Sequence, residues 1–445
     1  MGLSLDKRLD RFFHMEERGT NWRTEGLAGV TTFFTMAYIV AVNPAILHDA
    51  HMPLAAVAVA TCFSAGVGTL LMGLLANYPI ALAPGMGLNA YFAYTVVLGM
   101  GVPWQTALGC VFLSGVAFLL LTAAGFRQLI VNAIPRELFS AVAAGVGLFI
   151  AFIGLRDAGI IVANKGTTVG LGNLRAATPA LAMLGLAITA TLLAWRVRAA
   201  MLIGILLTTA AGWAMGAVHW QPVSFHLRDV TATAMQLNLR GALHIGGSFG
   251  GGLLEILFVF LFVDLFDNVG TLVAVTKKAR LVQADGSIPR LNRILFADAT
   301  ATVVGSLAGT STVVSYVESA AGVAAGGRTG LASVVTGLLF FLALLVAPFA
   351  SLVPAGATSP ALILVGGMMI SAVTEIDWEE ATIAIPAFLT LITIPLTFSI
   401  ANGLAFGITG YALLRLVRGQ LQRSDWMLCT LALLFVVRFF YMAKG

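Results

Sequence analysis

Three carboxylates lie inside long apolar stretches of this sequence, where a charged side chain is costly. Asp264 and Asp267 are three residues apart in the run 258–271, which places them on one face if the run is helical. Glu318 lies in a second run, with Ser315 three residues before it on the same face. A charged residue at the centre of a membrane helix costs about 2.5 to 3.5 kcal/mol on insertion scales, so these acids are candidates for function.

The surroundings of the three acids indicate what they would bind. Neither apolar run contains Lys, Arg or His, and a low-dielectric site would raise the affinity of unpaired acids for protons. Such carboxylates favour a neutral molecule with several N–H donors, or a small cation, over an anion. The alternative is structural: each acid caps a broken helix or hydrogen-bonds a neighbouring helix. Glu255 and Asp298 lie nearer the ends of their runs and are expected at the membrane interface.

Other side chains complete the candidate site. Asn89, in a further apolar segment, offers both a hydrogen-bond donor and an acceptor. Tyr91 and Phe262 are candidates for stacking on a flat ring, and Thr312 and Ser315 are candidates for lining the site. Acids, an amide and aromatic rings together suit a heterocyclic amide as the ligand.

The elements that position these residues must span a membrane. Hydrophobic residues make up 59% of the 445 residues, charged residues make up 10%, and the mean hydropathy is +0.95. One aqueous core cannot hold so much apolar surface. The net charge of +5 is spread over several loops, and no basic cluster predicts binding of nucleic acid. Because no nucleophile, zinc or P-loop arrangement is found, neither an enzyme nor a cofactor is expected, and the lipid bilayer is the expected partner.

The apolar runs predict fourteen spans joined by short loops, because a spanning helix needs about 20 mostly apolar residues. Lys and Arg are concentrated in alternate loops, which predicts that both termini face the cytoplasm. The polar stretch 219–248 would join two halves of seven spans outside the cell. A last apolar run, 426–441, would either span the membrane or lie in its interface as an amphipathic helix.

Corresponding segments of the two halves contain a break. The third span carries Pro84 and Gly85, and the tenth carries Gly309, each at mid-membrane depth. Pro removes a backbone donor and Gly loosens a helix, so each segment should enter extended and become helical after the break. Paired interrupted segments of this kind point to the substrate site of a transporter.

At these motifs the sequence resembles the AzgA-like purine permeases of the nucleobase:cation symporter-2 family (NCS2, the nucleobase-ascorbate transporters). The resemblance covers nearly the whole chain. It rests on the following segments: 35–44 (TMAYIVAVNP), 84–92 (PGMGLNAYF), 262–267 (FVDLFD), 309–312 (GTST) and 315–322 (SYVESAAG).

The resemblance implies an all-α polytopic membrane protein with a UraA-like fold, in which 14 transmembrane segments form a 7+7 inverted repeat with discontinuous spans 3 and 10. It also implies a core domain that moves against a gate domain, and a homodimer. The implied segments are a cytoplasmic N-terminal segment 1–24, the core 25–125 (spans 1–4) and 249–352 (spans 8–11), the gate 126–218 (spans 5–7) and 353–420 (spans 12–14), the external linker 219–248, and a C-terminal apolar helix 421–445.

Carried over to the matching positions, Asn89, Asp264 and Glu318 would bind a purine, and Asp267 and Glu318 would serve proton coupling. Adenine, guanine and hypoxanthine are the known substrates of the group, and the preference among them is left open. The expected function is therefore a symporter that imports purine nucleobases with protons across the cytoplasmic (inner) membrane by alternating access. Protons would be the coupling ion, and no cofactor is implied.

Two other functions stay open at this point. An anion permease or exchanger on the same fold should offer Arg, Lys or bare helix N-termini at its site, which the embedded acids oppose. A channel would conduct without competition among purines.

Overall fold

The structure is a computed structural model that describes residues 5–124, 135–216, 231–245, 251–283, 288–421 and 425–442. Half of the predicted external linker 219–248, namely 219–230 and 246–248, lies outside the described residues. Its described part includes a short helix and contacts the end of a long helix, because Met235 N–H donates to the carbonyl oxygen of Leu307 at 2.8 Å.

The described residues are mostly helical. The helices of the first half of the chain are α1 (Leu5–Phe13), α2 (Trp22–Met36), α3 (Ile39–Asp49), α4 (Leu54–Leu71), α5 (Met86–Ala90), α6 (Trp104–Ala123), α7 (Arg136–Asp157), α8 (Ala177–Ala194) and α9 (Ala200–Ala214). Those that follow are α10 (Leu239–Leu243), α11 (Gly251–Lys278), α12 (Leu291–Ala308), α13 (Ser319–Ala324), α14 (Gly330–Ala343), α15 (Ala355–Met369), α16 (Ala381–Thr397), α17 (Ile400–Val417) and α18 (Trp426–Met442).

Shorter elements interrupt this series. Two π-helical segments cover Met72–Ala76 and Tyr91–Gly99, and two 3₁₀ segments cover Ala347–Leu352 and Ile370–Glu375. The strands are β1 (Leu82–Pro84), β2 (Ile161–Asn164), β3 (Thr168–Leu171) and β4 (Val313–Ser315). β2 and β3 form an exposed antiparallel hairpin.

The helices confirm an all-α polytopic membrane protein. Within the described residues, eight helices are long and apolar enough to cross a membrane, and four shorter apolar helices accompany them. Local signals set several helix starts: Asn21 caps α2 through Thr24 N–H, and Ser399 caps α17 through Asn402 N–H. The count of fourteen spans stays a prediction.

Both broken segments run extended and then helical, as predicted. β1 leads into α5, and β4 is followed by α13. The sequence did not predict that the two extended stretches pair with each other as antiparallel strands, with Ala83 opposite Val314. The pairing supplies partners for backbone groups that cannot be left unpaired in a membrane.

A threonine in each half supports its own broken strand in the same way. The Thr69 hydroxyl, on α4, donates to the carbonyl oxygen of Leu82 at 3.0 Å and accepts its N–H at 2.9 Å. The Thr302 hydroxyl, on α12, donates to the carbonyl oxygen of Val313 at 2.9 Å and accepts its N–H at 3.3 Å. Leu82 and Val313 are the first residues of their strands, so the same pair of threonine hydrogen bonds occurs at the start of each broken strand.

The start of α14 is held by two buried polar side chains. Glu25, on α2, is fully buried and accepts the N–H groups of Arg328 at 2.8 Å, Thr329 at 3.2 Å and Ala332 at 3.3 Å. Asn77 Oδ1 accepts the N–H of Gly330 at 2.7 Å. A carboxylate at a helix N-terminus also meets the positive end of the helix dipole.

The N-terminal helix α1 is attached at the same place. Phe13 is buried beside Leu331, and the carbonyl oxygen of Phe13 accepts Asn77 Nδ2 at 2.8 Å. Arg18 donates to the carbonyl oxygens of Asn77 at 2.8 Å and Arg328 at 2.9 Å. Burial lowers the pKa of the Arg18 guanidinium from its usual value.

The described residues divide into two compact units. The first comprises Met1–Leu120 and Gly154–Ala361, and the second comprises Leu121–Ile153 and Leu362–Gly445. In the first, buried side chains of the π-helical segment Met72–Ala76, β1, α11, α12 and β4 form one core, which includes Leu82, Val275 and Val313. The predicted core and gate domains, and the placement of the C-terminal helix in or across the membrane, stay predictions.

The second unit has its own packing. Phe398, at the turn between α16 and α17, packs edge-on against Phe149 at 5.4 Å and Phe152 at 5.2 Å between ring centroids. The Ser140 hydroxyl donates to Glu375 at 2.8 Å. These contacts join α7 to the elements that follow α15.

Candidate functional site

The strand pair of β1 and β4 is the frame of the candidate site. α5 starts right after β1, and Asn89 N–H makes an early helical hydrogen bond to the carbonyl oxygen of Gly85 at 2.8 Å. The Gly85 N–H itself donates to the carbonyl oxygen of Thr312 at 2.9 Å. Asn89 is therefore fixed at the point where the two broken segments cross.

The Asn89 carboxamide is fully buried and hydrogen-bonded on both sides. Asn89 Nδ2 donates to Asn43 Oδ1, on α3, at 2.5 Å. The Ser311 hydroxyl, just before β4, donates to Asn89 Oδ1. Asn43 Nδ2 in turn donates to Thr61 Oγ1 at 2.7 Å and to Thr310 Oγ1 at 2.9 Å. Asn89 thus belongs to a polar network that ties α3, α4 and α5 to the segment before β4.

Asp264 lies in a second buried network on the other side of β4. Asn268 Nδ2 donates to Asp264 Oδ1 at 2.8 Å and to Asp298 Oδ2 at 2.6 Å. Asn268 Oδ1 accepts the N–H of Ser315 at 3.0 Å. Since a backbone N–H can only donate, the Asn268 oxygen must face β4 and its nitrogen must face the two carboxyl groups. One oxygen of each carboxyl group is therefore kept as an acceptor.

Glu318 follows β4 and is partly exposed. The buried Tyr38 hydroxyl, at the start of α3, donates to Glu318 Oε1 at 2.6 Å. This bond makes Glu318 Oε1 an acceptor and ties the acid to the start of α3. The structure brings Asn89, Asp264 and Glu318 to one segment, 311–318. Ser311 of this segment binds Asn89, and Asn268 links Asp264 to Ser315. Glu318 is itself part of the segment.

Asp267 is placed differently from these three residues. Its side chain is partly exposed on α11, and among the described side chains it has no hydrogen-bond or ion-pair partner. It therefore differs from Asp264, which Asn268 holds. A change in its protonation would therefore break no hydrogen bond or ion pair with a described side chain.

The two aromatic candidates already contact other rings. Tyr91 packs edge-on against Phe260 with centroids 5.2 Å apart, and Phe262 stacks on Phe258 at 4.7 Å. The two lining candidates have the opposite character. Thr312 Oγ1 and Ser315 Oγ are buried, and neither has a hydrogen-bond partner among the described residues.

Buried hydroxyls without partners are rare in proteins, because leaving one unsatisfied costs about 1–3 kcal/mol. Here two occur within four residues, at the crossing of the broken segments. A ligand with donors and acceptors along its edge would satisfy them. Tyr316 reinforces the crossing from the same segment, since its hydroxyl donates to the carbonyl oxygen of Pro84 at 2.5 Å.

Sequence reasoning missed four residues of these networks: Asn43, Asn268, Asp298 and Tyr38. Asp298 lies inside the protein, because only 1% of the residue is exposed and Asn268 binds it, and its expected depth at the membrane interface stays a prediction. A polar residue in the middle of an apolar run was the available signal for Asn43 and Asn268. Their partners are distant in sequence, so the spacing of residues did not reveal their role.

The solved structures that match this fold include two of membrane transport proteins. The transmembrane domain of the bicarbonate transporter BicA of a cyanobacterium matches with a TM-score of 0.60 at 14% identity, covering 92% of this chain and 97% of that one. The murine anion transporter Slc26a9 in its inward-facing state matches with a TM-score of 0.64 at 14% identity, covering 90% of this chain and 69% of that one. At these identities the likeness shows the fold alone.

Sequence comparison gives the family. Residues 23–406 match the model described as Permease family (Xan_ur_permease). A protein of Methanocaldococcus jannaschii is 49% identical over 438 residues, which cover 98% of this chain and 99% of that one. Adenine permease AdeP of Escherichia coli is 43% identical over 430 residues (97% and 95%), and guanine/hypoxanthine permease PbuG of Bacillus subtilis is 43% identical over 440 residues (97% and 99%). The chain belongs to this permease family of nucleobase:cation symporters, which confirms the resemblance in its motifs and excludes an enzyme.

Proposed function

We propose that this chain is a proton-coupled symporter that imports purine nucleobases across the cytoplasmic membrane. The observation that carries the proposal is the crossing of two broken segments, where an amide, two acids and two buried hydroxyls without partners among the described residues lie in or next to one buried strand pair. Relatives named as adenine and guanine/hypoxanthine permeases, each matched over nearly the full chain, support purines as the substrate class.

The site residues match the chemistry of a purine. A purine is a flat ring with N–H donors and ring-nitrogen or carbonyl acceptors along its edge. Asn89 offers both a donor and an acceptor, and the carboxylates of Asp264 and Glu318 accept N–H groups. Thr312 and Ser315 add hydroxyls that can donate or accept. Their positions relative to β4 support a purine placed at the crossing.

Proton coupling is proposed for Asp267 and Glu318, two acids within apolar segments. Asp267 has no partner among the described side chains, and Glu318 is held through Oε1 by Tyr38. A proton that binds either acid would neutralise a charge inside the membrane. One charge moving through 100 mV supplies about 2.3 kcal/mol, which is enough to concentrate a substrate nearly fiftyfold.

The remaining features of the proposal concern the cell. The positive-inside pattern supports cytoplasmic termini and insertion in the inner membrane. Alternating access of a core domain against a gate domain, within a homodimer, is proposed from the family resemblance.

Uptake into proteoliposomes tests the proposal. Radiolabelled hypoxanthine, guanine and adenine are offered with and without an inward proton gradient, and each is competed with the other two. Saturable uptake that rises with the gradient and collapses with an uncoupler is the expected result. Absence of purine uptake in sealed liposomes would reject the proposal, and uptake of bicarbonate or sulfate instead would indicate an anion carrier.

Two variants separate the substrate site from the coupling site. Glu318→Gln should weaken purine binding strongly, because one of the two acceptor oxygens of the carboxylate is replaced by an NH2 group, which can only donate. Asp267→Asn should retain binding but lose accumulation driven by the proton gradient. Uptake like that of the wild type in both variants would reject the assigned residues while leaving purine transport intact.

A further inference from the structure

The hydrogen bonds of the network that contains Asn89 have fixed donors and acceptors, and Asn43 connects Asn89 to the rest of this network. We infer that Asn43 is a positioning residue that sets the polarity of the Asn89 carboxamide, and thereby the choice between purines with a donor and purines with an acceptor at ring position 6. The inference rests on the proposed function and names a determinant of specificity within that site.

The assignment of donors and acceptors starts at a backbone carbonyl group of α4. The Thr61 hydroxyl donates to the carbonyl oxygen of Val57, one turn earlier in α4, at 2.6 Å. A hydroxyl has one proton, so Thr61 Oγ1 can only accept from Asn43. The Asn43 side-chain nitrogen must therefore be the atom that lies 2.7 Å from Thr61.

The direction then passes to Asn89. The second N–H of Asn43 is occupied by Thr310 Oγ1 at 2.9 Å, which leaves Asn43 Oδ1 facing Asn89. An oxygen can only accept, so Asn89 Nδ2 must face Asn43 and Asn89 Oδ1 must face the Ser311 hydroxyl. Each step excludes the flipped amide at the next residue.

Burial makes this polarity costly to reverse. Asn43, Thr61, Asn89, Thr310 and Ser311 all have 0% exposure, so water cannot replace a lost partner. A flipped Asn89 would place two amide oxygens against each other and lose the bond to Asn43. The nitrogen edge and the oxygen edge of the Asn89 carboxamide are thus fixed.

Purines differ at the edge that such an amide reads. Adenine carries an amino donor at position 6 beside an acceptor nitrogen, whereas hypoxanthine carries a carbonyl acceptor beside an N–H donor. An amide of fixed polarity matches one pattern and opposes the other. An amide that can flip serves both, so release of Asn89 should reduce discrimination between the two.

The test is the ratio of adenine to hypoxanthine uptake, measured as Vmax/KM with both labels in the same vesicles. Asn43→Leu removes every polar contact of the side chain and should move the ratio about tenfold towards one, which corresponds to about 1.4 kcal/mol. Thr61→Val removes only the first step and should give a smaller change in the same direction.

Asn77→Gly is the matched control for loss of a buried asparagine. Asn77 is 3% exposed, and its side chain hydrogen-bonds Phe13 and Gly330, neither of which belongs to the Asn89 network. Its positive φ of 59° suits glycine. This control should lower thermal stability without moving the ratio. If Asn43→Leu does not fold, the uptake ratio of Thr61→Val tests the inference instead. Binding of both purines to the detergent-solubilised protein is the second measurement.

The outcomes separate this inference from the proposed function. A wild type without saturable purine uptake would reject the proposed function. The positioning role of Asn43 would be rejected, with the proposed function intact, by either of two results. One is a wild type that takes up adenine and hypoxanthine equally well; the other is Asn43→Leu and Thr61→Val proteins that keep the wild-type ratio.

Discussion

The Thr312 hydroxyl, at the crossing of the broken segments, is predicted to act in opposite directions on stability and on substrate binding. Thr312 Oγ1 is buried without a partner among the described residues, whereas the equally buried Thr336 hydroxyl donates to the carbonyl oxygen of Gly29 at 2.9 Å. A hydroxyl without a protein partner weakens the folded state, and it is retained where a ligand uses it.

We predict that Thr312→Val leaves the melting temperature unchanged or raises it, because no protein hydrogen bond is lost. Loss of one hydrogen bond to the substrate, worth about 1 kcal/mol, should raise KM for a purine about fivefold. Thr336→Val is the matched control and should lower the melting temperature without this effect on KM. A Thr312→Val protein as destabilised as the control would show that the hydroxyl has a structural role.

The candidate site was partly predictable at this scale. Asn89, Asp264 and Glu318 stand out because polar residues in apolar runs are costly, so their types alone predict function. Asn43 and Asn268 act through partners 267 and 47 residues away in sequence, Thr310 and Ser315. Such contacts depend on how helices pack, which residue spacing within one segment does not reveal.

Among the secondary-structure elements, the two broken segments are supported by equivalent threonines. Thr69 and Thr302 each bind both backbone groups of the first residue of a strand. Removing either hydroxyl leaves a buried N–H and a buried carbonyl without that partner.

We therefore predict that Thr69→Val and Thr302→Val each lower the free energy of unfolding by about 1–3 kcal/mol, and by similar amounts. Thermal unfolding in detergent measures the effect. Thr189→Val is the control, because the Thr189 hydroxyl only adds a bond to a carbonyl of its own helix, that of Gly185. Clearly unequal effects of the first two variants would contradict the repeat at the level of hydrogen bonds.

The start of α14 gives another prediction at the scale of elements. Glu25→Ala removes the acceptor of three N–H groups at this helix end and should lower the free energy of unfolding by about 1–3 kcal/mol. Glu25→Gln keeps one acceptor oxygen and should lie between Ala and the wild type. The exposed Glu17, replaced by Ala, should have no effect; equal stability of all three variants would exclude a capping role for Glu25.

The course of each broken segment followed from its Pro and Gly residues, but the pairing of the two segments did not. Pro84, Gly85 and Gly309 disfavour helix locally, so an extended stretch before a half-helix is predictable. Which stretch pairs with which is a long-range property. The register of Leu82 with Ser315 depends on the packing of α4 and α12 around both strands.

Across the whole molecule, one charged cluster joins the ends of three segments. Arg156, at the end of α7, donates to Asp157 at 2.8 Å and lies 3.6 Å from Asp49 of α3. The Arg156 guanidinium also lies 4.6 Å from the centre of the Tyr94 ring, and the Tyr94 hydroxyl donates to Asp49 at 2.6 Å. In the predicted topology this cluster lies on the outer side of the membrane.

We predict that Arg156→Gln opens the outer side more often, because it removes the cation that the two aspartates share. The measurement is labelling by an impermeant maleimide of a cysteine introduced by Ser315→Cys, after Cys62, Cys110 and Cys429 have been replaced. Labelling from outside should be faster in Arg156→Gln than in the wild type. Arg175→Gln serves as the control, and equal labelling in both variants would show that the cluster does not hold the outer side closed.

The pairing of β1 with β4 also has a consequence for biosynthesis. β1 is made about 230 residues before its partner, which at about 5–20 residues per second corresponds to a delay of roughly 12–46 s. During this time the first broken segment sits in the membrane without its strand partner, so the nascent first half depends on water or an insertion factor to cover its backbone. The second half therefore completes the first, and the two halves are expected to mature together in the bilayer or not at all.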